Sequence, residues 1–135
     1  MEFADYIGIP WQSGAEGPEA YNCATFARHL QRAHFSRELP PLFGVDEHNL
    51  RAVCTALGTG ESLATEYGWH PVAQPRHGDI ALLARASHPS HIGVWLDIDG
   101  GGIIHCLEQA GVIFSTPASL RLSGWGKIIY YTCRA

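Results

Sequence analysis

Apolar residues recur at two different periods in this chain, and the period changes part-way along it. Between residues 22 and 33, Cys23, Phe26, Ala27, Leu30 and Ala33 fall at spacings of three and four, which marks one face of a helix. Asn22, directly before Cys23, is a good N-cap residue. Leu39-Pro40-Pro41 then stops the helix or its continuation. A weaker helical pattern covers residues 46–58, with Asp46 as cap, Leu50, Val53, Cys54 and Leu57 as its buried face, and Gly58 at its end. Residues 9–18 are rich in Gly and Pro and read as a loop, as does the stretch around Pro71 and Pro75. After Gly78-Asp79 the pattern shortens to β-rich runs at residues 80–83, 91–96, 102–107 and 127–131. Asp97-Ile98-Asp99-Gly100-Gly101 is a hairpin turn between two of them. Helices come first and strands later, in separate blocks, which is an α+β layout.

Composition narrows the class. The 135 residues amount to one domain, 1–135, and 46% apolar against 16% charged residues describes a globular chain. The formal net charge of −4 comes with no run of like sign, so neither nucleic acid nor a membrane is an expected partner. Residues 1–6 carry acids where a signal peptide carries Lys or Arg, and no apolar stretch approaches membrane-span length. Synthesis in the cytoplasm without a signal peptide is therefore expected, with any exit by another route. Cys23, Cys54, Cys106 and Cys133 form no CxxC pair, which argues against a zinc ribbon or a thioredoxin-like redox site.

A cysteine in the first turn of a helix is where thiolate chemistry is easiest to arrange. The outward-pointing N–H groups and the helix dipole favour negative charge there, and the same N–H groups can hold an oxyanion. By position alone the better reading of Cys23 is a small buried residue of an apolar helix face. His91 separates the two readings, because it opens an otherwise apolar strand and is well placed to take a thiol proton. His105 lies on the next strand, across a Gly-rich turn. If both histidines share a face, His105 can bond the far ring nitrogen of His91 and fix its tautomer. A turn holding Gly100, Gly101 and Gly102 leaves that register open.

The order of these parts carries a resemblance. Cys23 on its helix, then Gly78-Asp79-Ile80-Ala81-Leu82-Leu83, His91-Ile92-Gly93-Val94-Trp95-Leu96 and Ile103-Ile104-His105 resemble the NlpC/P60-type cell-wall peptidases, a papain-like cysteine family. The likeness runs from about Tyr6 to Tyr131. With Ile9-Pro10-Trp11, Gly14, Gly17-Pro18, Tyr21-Asn22-Cys23, Leu39-Pro40 and the stretch 125–131, it is strongest to the phage-tail-associated branch. The resemblance implies N-terminal helices packed on a small antiparallel β-sheet. It makes Cys23 the nucleophile, His91 the general base and His105 the orienting third residue, with Trp11 beside the substrate and Asp79 structural. It implies hydrolysis of peptidoglycan stem peptides, often at the γ-D-glutamyl to diamino-acid bond, through an acyl-thioester and with no metal or cofactor. Phage tail proteins become expected partners, and a phage tail or delivery to the periplasm the expected destination.

Two departures bear on the substrate pocket. The family usually has Asp-Cys followed by Ser-Gly or Trp-Gly, where this chain has Asn22-Cys23-Ala24-Thr25. Cys106-Leu107 follows His105, where a small residue such as Ala is common. Of the other histidines, His29, His34, His48, His70, His77 and His88 show no ligand spacing and read as solvated surface. Trp69, Trp95 and Trp125 read as core, and Arg28 and Arg32 as the solvated side of the helix. Beside the hydrolase stand a tail-tip assembly protein with little activity, an interbacterial toxin amidase and, as a minor alternative, an acyltransferase.

Overall fold

A computed structural model describes residues 1–39, 68–86 and 89–133. The helix expected over 46–58 lies outside them, as do Cys54, His48 and His88. A short 3-10 helix at Phe3–Tyr6 is followed by α1 (Cys23–His34). Then come β1 (Trp69–Val72), β2 (Ile80–Ala84), β3 (Pro89–Leu96), β4 (Gly102–Leu107), β5 (Gly111–Ser115), α2 (Pro117–Leu122) and β6 (Lys127–Cys133). These strands form one antiparallel sheet in the order β1-β6-β2-β3-β4-β5.

The start of α1 is fixed by its own sequence. Asn22 Oδ1 accepts from Thr25 N at 2.8 Å, and Asn22 N donates to Thr25 Oγ1 at 3.0 Å, a reciprocal cap. Thr25 Oγ1 also donates to Ala15 O at 2.6 Å, which ties the Gly/Pro-rich loop to the helix start. The helix ends earlier than Leu39-Pro40 would require. Ser36 takes a left-handed φ of 53°, and the N–H groups of Phe35 and Arg37 both donate to Gln31 O.

α1 packs on β3 and β4. Phe26, Ala27 and Leu30 meet Leu82, Ile92, Val94 and Ile104 from one face of the sheet. Full burial of side chains such as Phe26 and Leu30 contributes roughly 1.5–3 kcal/mol each. The other face buries Ala81, Leu83 and Ile103 under Leu120 of α2 and Trp125. Two strands depart from the pattern reading. The Pro71 loop is in part a strand, β1, tolerated because β1 is an edge strand and an edge can spare an N–H. β5 and α2 occupy a stretch to which the pattern assigns no element.

Asp79 has the structural role the resemblance implies. Fully buried, it accepts from Arg76 N at 2.8 Å and from Arg37 Nη1 at 3.3 Å, and its carbonyl accepts from Trp95 N at 2.7 Å. Asp79→Ala leaves the turn's donors without that acceptor, so stability should fall by about 2 kcal/mol. Urea unfolding checks this; a midpoint unchanged from wild type would show that the carboxylate does not hold the turn.

Candidate active site

Cys23 is the first residue of α1, so it sits where the helix's leading N–H groups point outward. β3 and β4 pair only at Val94↔Ile104, Trp95↔Ile103 and Leu96↔Gly102. Beyond that ladder a cleft of about 650 Å³ is lined by Cys23 and Cys106 and by His91, Arg85 and Trp125. The two-residue alternation of strands sets His91, Gly93 and His105 on one face of the sheet, and His91 lines the cleft that Cys23 also lines. His91 Nε2 lies 2.8 Å from His105 Nδ1, and His105 Nε2 lies 3.0 Å from Ser115 Oγ on β5. The hairpin therefore does bring both histidines to one face. Gly93 makes room for this: a Cβ there would stand 2.5 Å from Ile103 Cγ2 and 3.0 Å from His105 Cβ.

The line of hydrogen bonds assigns roles to the ring nitrogens. His91 Nε2 is taken by His105, which leaves Nδ1 as the atom able to accept a proton. For Nδ1 to be the bare nitrogen, Nε2 must carry the hydrogen and donate it to His105 Nδ1. His105 then carries its own hydrogen on Nε2 and donates it to the Ser115 hydroxyl. In that tautomeric state Ser115 stands at the end of the chain, its hydroxyl accepting the His105 hydrogen.

Burial holds both rings neutral. It pushes His91 well below the usual histidine range, with His105 and the positive charge of Arg85 adding to the effect. Burial alone brings His105 down to about 4. Cys106 lines the same cleft, but burial, and then the neighbouring Cys23, push its thiol up to about 12, so it stays protonated and unreactive.

These shifts set a pH dependence. Both folded-state values lie below the unfolded 6.5, so the unfolded chain binds more protons between the two and stability is lost as pH falls through 6.5. For His105 the loss reaches about 3 kcal/mol by pH 4. His29 and His34, both lowered chiefly by burial, act in the same direction. Thermal unfolding from pH 7 to pH 4 should show this fall, and a shallower one in His105→Asn; a flat profile would contradict it. A His91 that acts as a base in its neutral form predicts an acid limb of kcat/KM below pH 6.5.

The other expected residues fall in several places. Trp11 lines the cleft, half-buried. Thr25 does not; it is spent on the helix cap, so the loss of the family's glycine is absorbed outside the cleft. Cys106 and Leu107, the second departure, do line it. Trp69 is core, but Trp125 also lines the cleft, with its ring stacked on His91 at 5.3 Å between centroids and 24° between planes. A buried tryptophan gives no sequence signal that tells core from cleft. His29 and His34 are not solvated surface: both Nε2 atoms bond the Tyr6 hydroxyl, at 3.0 and 2.8 Å, and fasten the N-terminal 3-10 helix to α1. Arg28 and Arg32 pair with Glu16 and Glu38 at the surface, contacts worth little to stability.

No protein-family profile matches the chain, and no curated protein does either. A solved structure does: the NlpC/p60 domain of the peptidoglycan hydrolase SagA, at 18% identity and a TM-score of 0.59, over 97% of this chain and 92% of that one. The chain has an NlpC/p60-type, papain-like fold. One helix and one antiparallel sheet thus stand in the relation that the sequence resemblance implies.

Proposed function

We propose that the protein is a cysteine peptidase that hydrolyses peptidoglycan stem peptides. The observation that carries this is the line Ser115–His105–His91, hydrogen-bonded in series, beside a cleft that also holds Cys23 at a helix N-terminus. The similar domain of a peptidoglycan hydrolase supports the substrate class.

In the reaction, His91 Nδ1 takes the Cys23 proton and Sγ attacks the scissile carbonyl carbon. Negative charge gathers on the carbonyl oxygen, where the leading N–H groups of α1 can meet it. The C–N bond breaks as His91 returns the proton to the leaving amine, which leaves an acyl-thioester on Cys23. Water, deprotonated by His91, then attacks the thioester. The products are a carboxylic acid and the restored thiol.

The scissile bond we assign is the γ-D-glutamyl to diamino-acid bond. Mass spectrometry of a defined stem peptide after incubation tests this, since fragment masses name the bond. Added hydroxylamine should divert the acyl-enzyme to a hydroxamate. No fragment and no hydroxamate, with Cys23 still readily alkylated, would overturn the reading. Placement in a phage tail rests on Ile9-Pro10-Trp11 and the other loop likenesses, and co-purification with tail proteins is its test. An inert Cys23 would favour a tail-tip component that keeps the fold without the activity.

A further inference from the structure

Arg85 follows β2 at the edge of the cleft, exposed, yet it is held in one pose. Its guanidinium lies 4.0 Å over the Trp125 ring, and Nη1 donates to Ser123 O at 2.9 Å. The backbone beneath it is Gly124, at φ 98°, where a Cβ would come within 2.6 Å of Nη1. Only glycine lets the guanidinium lie there. Trp125 in turn stacks on His91, so guanidinium, indole and imidazole stand in series from the rim to the base. Among the described residues no carboxylate pairs with Arg85, although Arg28, Arg32 and Arg37 each have one. Among the described residues, the cation and the carboxylate that line the cleft are Arg85 and Glu108.

We infer that Arg85 is the receptor for a carboxylate carried by the substrate close to the scissile bond, and so selects acid over amide at that position. The inference rests on the peptidase reading for its substrate and deepens it. A guanidinium whose face is fixed by an indole presents its remaining N–H groups in a set fork, which suits bidentate recognition of a carboxylate. Its positive charge also disfavours a proton on His91. A bound carboxylate offsets that charge, so a matched substrate would raise the basicity of the residue that must take the thiol proton.

The test is a pair of peptides, L-Ala-γ-D-Glu-L-Lys and the same peptide with the glutamyl α-carboxylate amidated. Binding is measured by calorimetry in Cys23→Ala, so no turnover is needed. The acid should bind at least about tenfold tighter than the amide, and the ratio should fall to near one in Cys23→Ala/Arg85→Gln. Arg85→Lys, which keeps the charge without the fork, should restore only part of the ratio. Equal affinities for the two peptides, no binding of either, or a preference that survives Arg85→Gln would each overturn the inference. Turnover separates it from the reading beneath. Wild type that cleaves both peptides equally refutes the role of Arg85 alone; acid-selective binding with no cleavage refutes the peptidase and leaves the receptor standing.

Discussion

Cys23→Ala, His91→Ala and the double replacement are each expected to lower kcat/KM on a stem peptide by about 10⁵-fold, and by nearly the same factor. The equality follows from the division of labour. A thiol without its base stays protonated and attacks poorly. A base without its nucleophile has nothing to activate, so the second deletion removes a function already lost. What survives in all three is the cleft itself and the leading N–H groups of α1. Losses that multiply in the double variant would show that the two residues act separately and would sink the pairing. Steady-state kinetics of the three variants decides it. Because His91 is buried, its replacement is also read by thermal unfolding and by the pH profile of Cys23 alkylation. In His91→Ala that profile should move to the range of an ordinary thiol while the fold persists.

Much of this site was legible in the sequence because local rules decide it. Asn22, three residues before Thr25 and just ahead of a helical apolar face, predicts where α1 starts, and that start places Cys23. The runs at β2, β3 and β4 announce themselves by apolar density between Gly- and Asp-containing turns. What the sequence does not disclose is set by pairing across distance. The meeting of His91 with His105 depends on hairpin register, and three glycines in the turn do not dictate one. Ser115 belongs to β5, five residues with no alternating pattern strong enough to assign, so the end of the relay stays hidden. Pro71 argues for a loop unless one knows that its strand lies at the sheet edge. Trp125 and Arg85 form one stack although they stand 40 positions apart in the chain, a relation that neither composition nor period carries. The histidines of α1 look like surface residues until Tyr6 is seen to bond them both.

The second large effect belongs to the residue behind the base. His105→Ala is expected to lower kcat/KM by about 10³-fold, while His105→Asn keeps most of the activity. His105 does not meet the reacting atoms; it acts through His91, and what His91 Nε2 requires is an acceptor. The Asn side-chain oxygen supplies one, so the hydrogen stays on Nε2 and Nδ1 remains bare. Alanine supplies none, and the ring is then free to turn or to carry its hydrogen on Nδ1, where it blocks the thiol instead of receiving its proton. A residue that merely fills space would not separate Asn from Ala in this way, and both variants can be matched for stability by thermal unfolding. Ser115→Ala tests the next link. It removes the acceptor of the His105 hydrogen and should cost about tenfold, because His105 then loses the partner that keeps its Nδ1 open toward His91. The alkylation profile of Cys23 should follow the same order, with wild type and His105→Asn alike and His105→Ala shifted toward the ordinary thiol range. Equal losses in His105→Ala and His105→Asn would mean that packing, not the direction of the hydrogen bonds, is what His105 contributes.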